Sequence, residues 1–289
     1  MTTAVLIAVL VAGSGSLTDT PPPAVAVEPV PTTTAAETTP TFDASGLPRA
    51  VSDAVNDVVP HTDLGFALFD TRAGRTIAAL DADEPFYTAS LVKLLIALDV
   101  LSTGDWHVPA EPLRADLTAM IAASHDGIAE SLWNSGGRSA IVTRMAKIAG
   151  LQHTRPPAIS DQWEMTSTTA SDIVTLYRYL TTQVPLAARD LILGAMAAAT
   201  NPAADGFAQY FGIPDGLPGE KWAIKQGWME IQRAVVLNTS GLVGSRYVVV
   251  LLAELPLSTS YVQGRAAVTA GIAAVAPALT EQPLSRKEN

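Results

Sequence analysis

Ser90-Leu-Val-Lys93-Leu-Leu-Ile-Ala-Leu98 is the stretch whose reading decides the fold. It is apolar on every side of a helical wheel, and a helix of that kind is buried rather than laid on a surface. Lys93 is its one charge. A buried ammonium costs several kcal/mol unless it is paired or loses its proton. Ser90 stands three residues earlier, and positions i and i+3 share a helix face. A hydroxyl at the start of a buried helix therefore faces an amine one turn on. A desolvated lysine has a depressed pKa and acts as a base, and a serine beside such a base is an activated nucleophile. The alternative for the pair is an N-capping serine with a lysine that snorkels to the surface.

Working outward, the 289 residues suffice for one large domain or two small ones, and 48% hydrophobic with 16% charged residues suits an ample core. A net charge of −10 argues against nucleic acid and against an anionic membrane surface as partners. The chain has no cysteine, which removes disulfides, thiolate catalysis and cysteine-ligated metals together. His61, His107, His125 and His153 have no metal-ligand spacing, so no metal or cofactor is expected. Ala4–Ala12 is an unbroken apolar run followed by Gly13-Ser-Gly-Ser16. It is far shorter than the ~20 residues that span a bilayer, and it fits the hydrophobic region of a signal peptide. The basic segment that normally precedes such a run is missing, which points to a start further upstream. Without a cysteine there is no lipid attachment point.

Residues 1–17 thus read as a signal peptide or apolar N-terminal segment. Residues 18–45, rich in Pro, Thr and Ala, read as a disordered linker. Residues 46–280 carry the folded domain, and 281–289 form a polar tail. Within the domain, Ala50–Val59 reads as a short helix. Leu64–Asp70 and Thr76–Leu80 read as two strands joined by a turn with Gly74 in it. After the buried helix, apolar spacing near 3.6 predicts helices at about 113–123, 127–133, 138–149, 169–182 and 186–199. Trp222–Gly227, Arg233–Asn238 and Tyr247–Leu255 read as strands, and Tyr261–Leu279 as a closing helix. Strands from both chain ends bracket a helical middle. The fold class expected is α+β, an α/β/α sandwich: an antiparallel sheet built from both ends, flanking helices and an all-helical subdomain.

Two further motifs follow Ser90-x-x-Lys93 in order: Ser124-His-Asp126 between two predicted helices, and Lys225-Gln-Gly227 at the end of a predicted strand. They match, the second and third approximately, the Ser-x-x-Lys, Ser-Asp-Asn and Lys-Thr-Gly set of penicillin-recognising enzymes. Leu64 to Leu101, with the Asp70-Thr-Arg-Ala-Gly74 turn and Phe86-Tyr-Thr-Ala-Ser-Leu-Val-Lys93, resembles class A β-lactamases and related DD-peptidases. The resemblance continues through Ser124–Leu132, Met165–Asp172 and Lys225–Gly227, covering essentially the whole domain. It implies that Ser90 is acylated, Lys93 helps deprotonate it directly or through a water, Ser124 relays a proton to the leaving nitrogen, and Lys225 supplies positive field for a substrate carboxylate and orients Ser124. It further implies an oxyanion hole from the N–H groups of Ser90 and Trp228, a feature worth ~3 kcal/mol per donor.

The departures from that pattern matter as much. Asp126 stands where the family usually has Asn, whose amide both steadies the lysine and donates to the substrate. An ionised Asp only accepts, and near Lys93 it favours the ammonium. Gln226 replaces a Thr or Ser that greets a substrate carboxylate, and Trp228 is bulky for its place. Asp126, Gln226, Gly227 and Trp228 are the expected substrate-binding residues. Asp161-Gln-Trp-Glu164 resembles the start of the β-lactamase omega loop, yet Thr168-Thr169, resembling its far end, follows at once, so the loop is largely deleted.

The expected function is an exported, monomeric serine acyl-enzyme hydrolase or transferase acting on an envelope peptide, amide or β-lactam. The rival readings are a weak or inactive relative that binds an envelope peptide or protein, and a true β-lactamase. Trp163 and Trp222 are expected in the core, and Asn238-Thr-Ser240 matches a glycosylation sequon.

Overall fold

Continuous apolar strands such as Tyr247-Val-Val-Val-Leu-Leu-Ala253 belong in a sheet covered on both faces. In the computed structural model, which describes residues 44–280, that is where they lie. Helix α1 (Leu47–Val58) follows a short 3-10 turn and has Pro48 in its first turn, three residues earlier than the apolar pattern implies. Strands β1 (Asp63–Asp70), β2 (Arg75–Leu80) and the two-residue β3 (Phe86–Tyr87) come next. Helices α2 (Lys93–Thr103), α3 (Leu113–Ala122), α4 (Asp126–Ser135) and α5 (Ser139–Ala149) make the helical middle. Short strand β4 (Ser167–Thr168) leads into α6 (Ala170–Thr182), α7 (Leu186–Ala197) and one-turn α8 (Ile213–Gly216). Strands β5 (Trp222–Ile231), β6 (Ala234–Val243) and β7 (Tyr247–Pro256) precede α9 (Tyr261–Ala273) and α10 (Ala276–Thr280). The expected signal segment, most of the linker and the polar tail lie outside the described residues.

The main sheet is antiparallel in the order β2-β1-β7-β6-β5. The two chain ends meet in its middle, where β1 pairs with β7 from Asp63 opposite Glu254 to Asp70 opposite Tyr247. Side chains alternate faces along a strand, and β7 divides accordingly. Val248, Val250 and Leu252 pack under α2, α6 and the rest of the helical subdomain. Val249, Leu251, Ala253 and Leu255 pack against α1 and α9. The fold is thus an α/β/α sandwich with a helical subdomain, as the strand-helix-strand texture implies.

Three details differ from the sequence reading. β6 runs on through Thr239-Ser-Gly-Leu-Val243, whose small residues look like a strand end; a Cβ on Gly241 would sit 2.7 Å from the Ala223 carbonyl of β5, so only glycine fits that approach. The closing helix breaks at Ala274–Val275, because the ring of Pro277 clashes with the carbonyl four residues back and offers no N–H. The pair β3–β4, too short to leave a pattern, ties the chain before Ser90 to the chain after Met165.

Leu251 on β7 is fully buried between layers, whereas Val262 on α9 is 68% exposed. Leu251→Ala should lower the unfolding free energy by ~2–5 kcal/mol in urea titration, and Val262→Ala by less than about 0.5. Equal effects would contradict this placement of the core.

Candidate active site

The chain reaches Ser90 through a strained turn. Ala89 has φ +44, a left-handed conformation that costs a non-glycine residue of order 1–3 kcal/mol. The sheet enforces it. Asn238 of β6 donates from Nδ2 to the Tyr87 and Thr88 carbonyls at 2.9 and 3.1 Å, and the Thr88 amide donates to Thr166 O at 2.8 Å. Ser90 itself lies on a 3-10 turn, Ala89–Val92, that runs into α2 at Lys93, rather than on the α-helix proper. The edge strand β5 closes against this turn. A Cβ on Gly227 would fall 2.7 Å from Thr88 O and 3.2 Å from Ser90 N, so glycine is needed for the approach.

Lys93 is fully buried, and its Nζ lies 2.6 Å from Ser90 Oγ. It also meets Asp126 Oδ1 at 2.5 Å, Ser124 O at 3.0 Å and Ser124 Oγ at 3.3 Å. Trp163 covers its remaining side, with the ammonium 4.6 Å from the ring centroid, a cation–π contact. Trp163 is held there by donating from Nε1 to Glu130 Oε2 at 3.1 Å. Ser124 stands in the loop between α3 and α4 with φ +54, a second left-handed residue. His125 caps α4 by accepting from Ile128 N at 3.3 Å and takes no part in a triad. Lys225 of β5, equally buried, donates to Ser124 Oγ at 2.9 Å and to Gln226 O at 2.9 Å.

One hydroxyl, Ser124 Oγ, therefore lies between two buried amines, and only one of them has a carboxylate in contact. Burial pushes Lys93 below the ordinary lysine range, and the charges of Asp126, Asp205 and Glu164 pull against it. Lys225 falls further, through burial and then through the neighbouring Lys93 charge. For Lys93, desolvation outweighs the raising effect of the Asp126 carboxylate.

The structure brings Ser90, Lys93, Ser124, Asp126, Lys225 and Gly227 together. It turns Gln226 away. The amide of Gln226 is fully buried and donates to the carbonyls of Phe211 and Gln209, at 2.7 and 3.3 Å, because strand alternation sends it to the side opposite Lys225. It has no donor left for a substrate carboxylate on the cleft side. Trp228 is stacked on Phe207, with centroids 4.5 Å apart and planes 7° from parallel, and its Nε1 donates to Asp205 Oδ2 at 2.9 Å. Glu164 lies on the turn Trp163–Met165, and among the described residues its carboxylate has no hydrogen bond to Ser90 or Lys93. A cleft of about 580 Å³ beside it is lined by Tyr87, Glu164, Met165, Met229, Glu230 and Arg233.

Sequence reasoning missed Trp163 and Asn238 as site residues. Asn238 was legible by the logic that found Lys93, being a polar residue in the apolar run Ala234-Val-Val-Leu-Asn238. Its side chain is fully buried under the turn that carries Ser90, so the sequon match is a chance one. Trp163 left no such mark.

The chain is 32% identical over 241 residues to a lipoprotein named LppW in Mycobacterium tuberculosis and in Mycobacterium bovis, covering 80% of this chain and 75% of the relative. No family model matches it. Among solved structures, a β-lactamase from Desulfarculus baarsii superposes with a TM-score of 0.68 at 17% identity, covering 83% of this chain and 100% of that one. PBP-A does so with a TM-score of 0.66 at 18% identity, covering 84% and 99%. A PBP-A variant captured as its acyl-enzyme with penicillin G gives 0.65 at 18%, covering 82% and 97%. The fold is that of the serine β-lactamases and penicillin-binding proteins.

The buried amines carry a thermodynamic signature. Unfolded, Lys225 keeps its proton up to about the ordinary 10.5; folded, it gives the proton up well below that. Between the two values unfolding takes up a proton, so stability rises with pH by at most ~1.4 kcal/mol per unit for one such lysine. Urea midpoints measured from pH 7.5 to 9.5 should rise less steeply in Lys225→Met than in the wild type. Parallel slopes would show that Lys225 is an ordinary ammonium.

Proposed function

This chain belongs to the family of the mycobacterial lipoprotein LppW, and from that premise we propose that it is an exported serine acyl-enzyme hydrolase or transferase acting on a peptide, amide or β-lactam of the cell envelope. One observation carries the reading: Ser90 Oγ and the buried amine of Lys93 are 2.6 Å apart, with Ser124 linking that amine to Lys225. Export is supported by the apolar run Ala4–Ala12 and by the relatives' description as lipoproteins, although these 289 residues hold no cysteine to accept a lipid.

In the proposed reaction neutral Lys93 takes the proton of Ser90 Oγ as the oxygen attacks the carbonyl carbon. The backbone N–H groups of Ser90 and Trp228 receive the developing oxyanion, a term worth ~3 kcal/mol per donor. The C–N bond then breaks. The leaving nitrogen takes the Ser124 proton, which Lys93 replaces with the one it took, leaving an ester on Ser90. Hydrolysis of that ester needs a base for water on its open side. Among the described residues the Glu164 carboxylate makes no hydrogen bond to Ser90, and the Trp163 ring sits against Lys93, which supports slow deacylation. The competing reading, a weakly active binder of envelope peptides, draws on the inward turn of Gln226.

Time-resolved intact mass spectrometry with penicillin G should show one adduct on the wild type that persists, and none on Ser90→Ala. Rapid release of hydrolysed penicillin would instead favour a true β-lactamase, and absence of any adduct would favour the binding module. The pH profile adds a directional test. Neutral Lys93 is the reactive form and Asp126 raises its pKa, so Asp126→Asn should move the acidic limb of the acylation profile to lower pH.

A further inference from the structure

A residue that only accepts hydrogen bonds when ionised stands beside the amine that holds Ser90. Asp126 Oδ1 holds Lys93, which in turn holds the nucleophile, so the carboxylate is two short contacts from Ser90 Oγ. Its side chain is 61% exposed, and among the described residues its second oxygen has no hydrogen-bond or ion-pair partner. The cleft beside Glu164 has the same sign. Glu164 and Glu230 line it without a cation of their own among the described residues. Its one arginine, Arg233, is committed to Glu254 at 2.7 Å. On the other flank Asp205 holds the Trp228 indole and pairs with no cation among the described residues. The charge of Lys93 is answered by Asp126, and Lys225 is sealed under Ser124 and the Gln226 carbonyl.

We propose that this site selects acyl groups that carry an ammonium near the scissile carbonyl, with the free oxygen of Asp126 as the selecting group. The inference rests on the acyl-transfer reading of Ser90. An amide at position 126 would donate to a carbonyl of the substrate; a carboxylate instead takes an N–H and rewards positive charge. An anionic acyl group is repelled by Asp126, and Glu164, whose charge acts on Lys93, adds to that repulsion. The substrate class is therefore an aminoacyl compound with its amine free, and envelope peptides with unblocked amino groups are the natural source.

Three penicillins make the test, because they share nucleus and leaving group and differ only at the side-chain α-carbon. Ampicillin bears an amine there, penicillin G a hydrogen and carbenicillin a carboxylate. Second-order acylation rates of Ser90 would be read by intact mass at a pH below the α-amino range of ~7.7, where ampicillin is a cation. Ampicillin should exceed penicillin G by about fivefold, the span of one exposed ion pair, and carbenicillin should fall below it by a similar factor. Asp126→Asn should bring ampicillin and carbenicillin towards equality whatever it does to the common rate, Glu164→Gln should narrow the gap partly, and salt should narrow it in the wild type. Equal rates in the wild type, or a ratio untouched by Asp126→Asn, overturn the inference while leaving acyl transfer intact. Calorimetric binding of the same three to Ser90→Ala separates the other failure. If no penicillin acylates the wild type but ampicillin still binds this variant best, the charge selection stands and the acyl-enzyme reading falls.

Discussion

Ser124 Oγ, held between Lys93 and Lys225 at 3.3 and 2.9 Å, is the contact on which the rest of the structure depends. Its three members come from α2, from the loop before α4 and from β5, so the site forms only when helical subdomain and sheet have docked. Two amines buried around one hydroxyl are costly, and the fold offsets that cost with backbone carbonyls, one carboxylate and a tryptophan face. The strain at Ala89 and Ser124 belongs to the same account. Both left-handed residues adjoin or form the site, and the hydrogen bonds from Asn238 and Thr88 keep the first of them in place.

The architecture was legible because its signals are long and periodic. β7 announces a doubly covered strand by its unbroken apolar run, and α5 announces its end by Gly150, which takes φ +74 at the C-cap. Ser90 and Lys93 were legible for a different reason, since a charge in a wholly apolar helix demands a partner. What stayed hidden was hidden by length or by direction. β3 and β4 are two residues each, below any periodicity. The linear chain gives Gln226 the same standing as Lys225, and only the pleat of β5 sends one amide inward and the other amine to Ser124. Trp163 acquires its role from a cation seventy positions away in sequence, a contact no local pattern records.

Asp126 then ceases to look like a simple defect in a familiar pattern. With Lys225 already disfavoured as an ammonium, Lys93 is the cheaper of the two amines to charge, and the carboxylate makes it cheaper still. A proton held on Lys93 also relieves the site of a buried unpaired charge on Lys225, because the two amines repel through Ser124. In the proposed chemistry Ser90 is activated by neutral Lys93, and the Asp126 carboxylate works against that form while burial favours it. A substrate ammonium docking on the second oxygen of Asp126 would draw that carboxylate's field away from Lys93 and lower its pKa at the moment of binding. The same residue that favours the protonated base would then favour it less once an aminoacyl substrate docks. Selection and activation become one electrostatic event, and an anionic substrate gets neither.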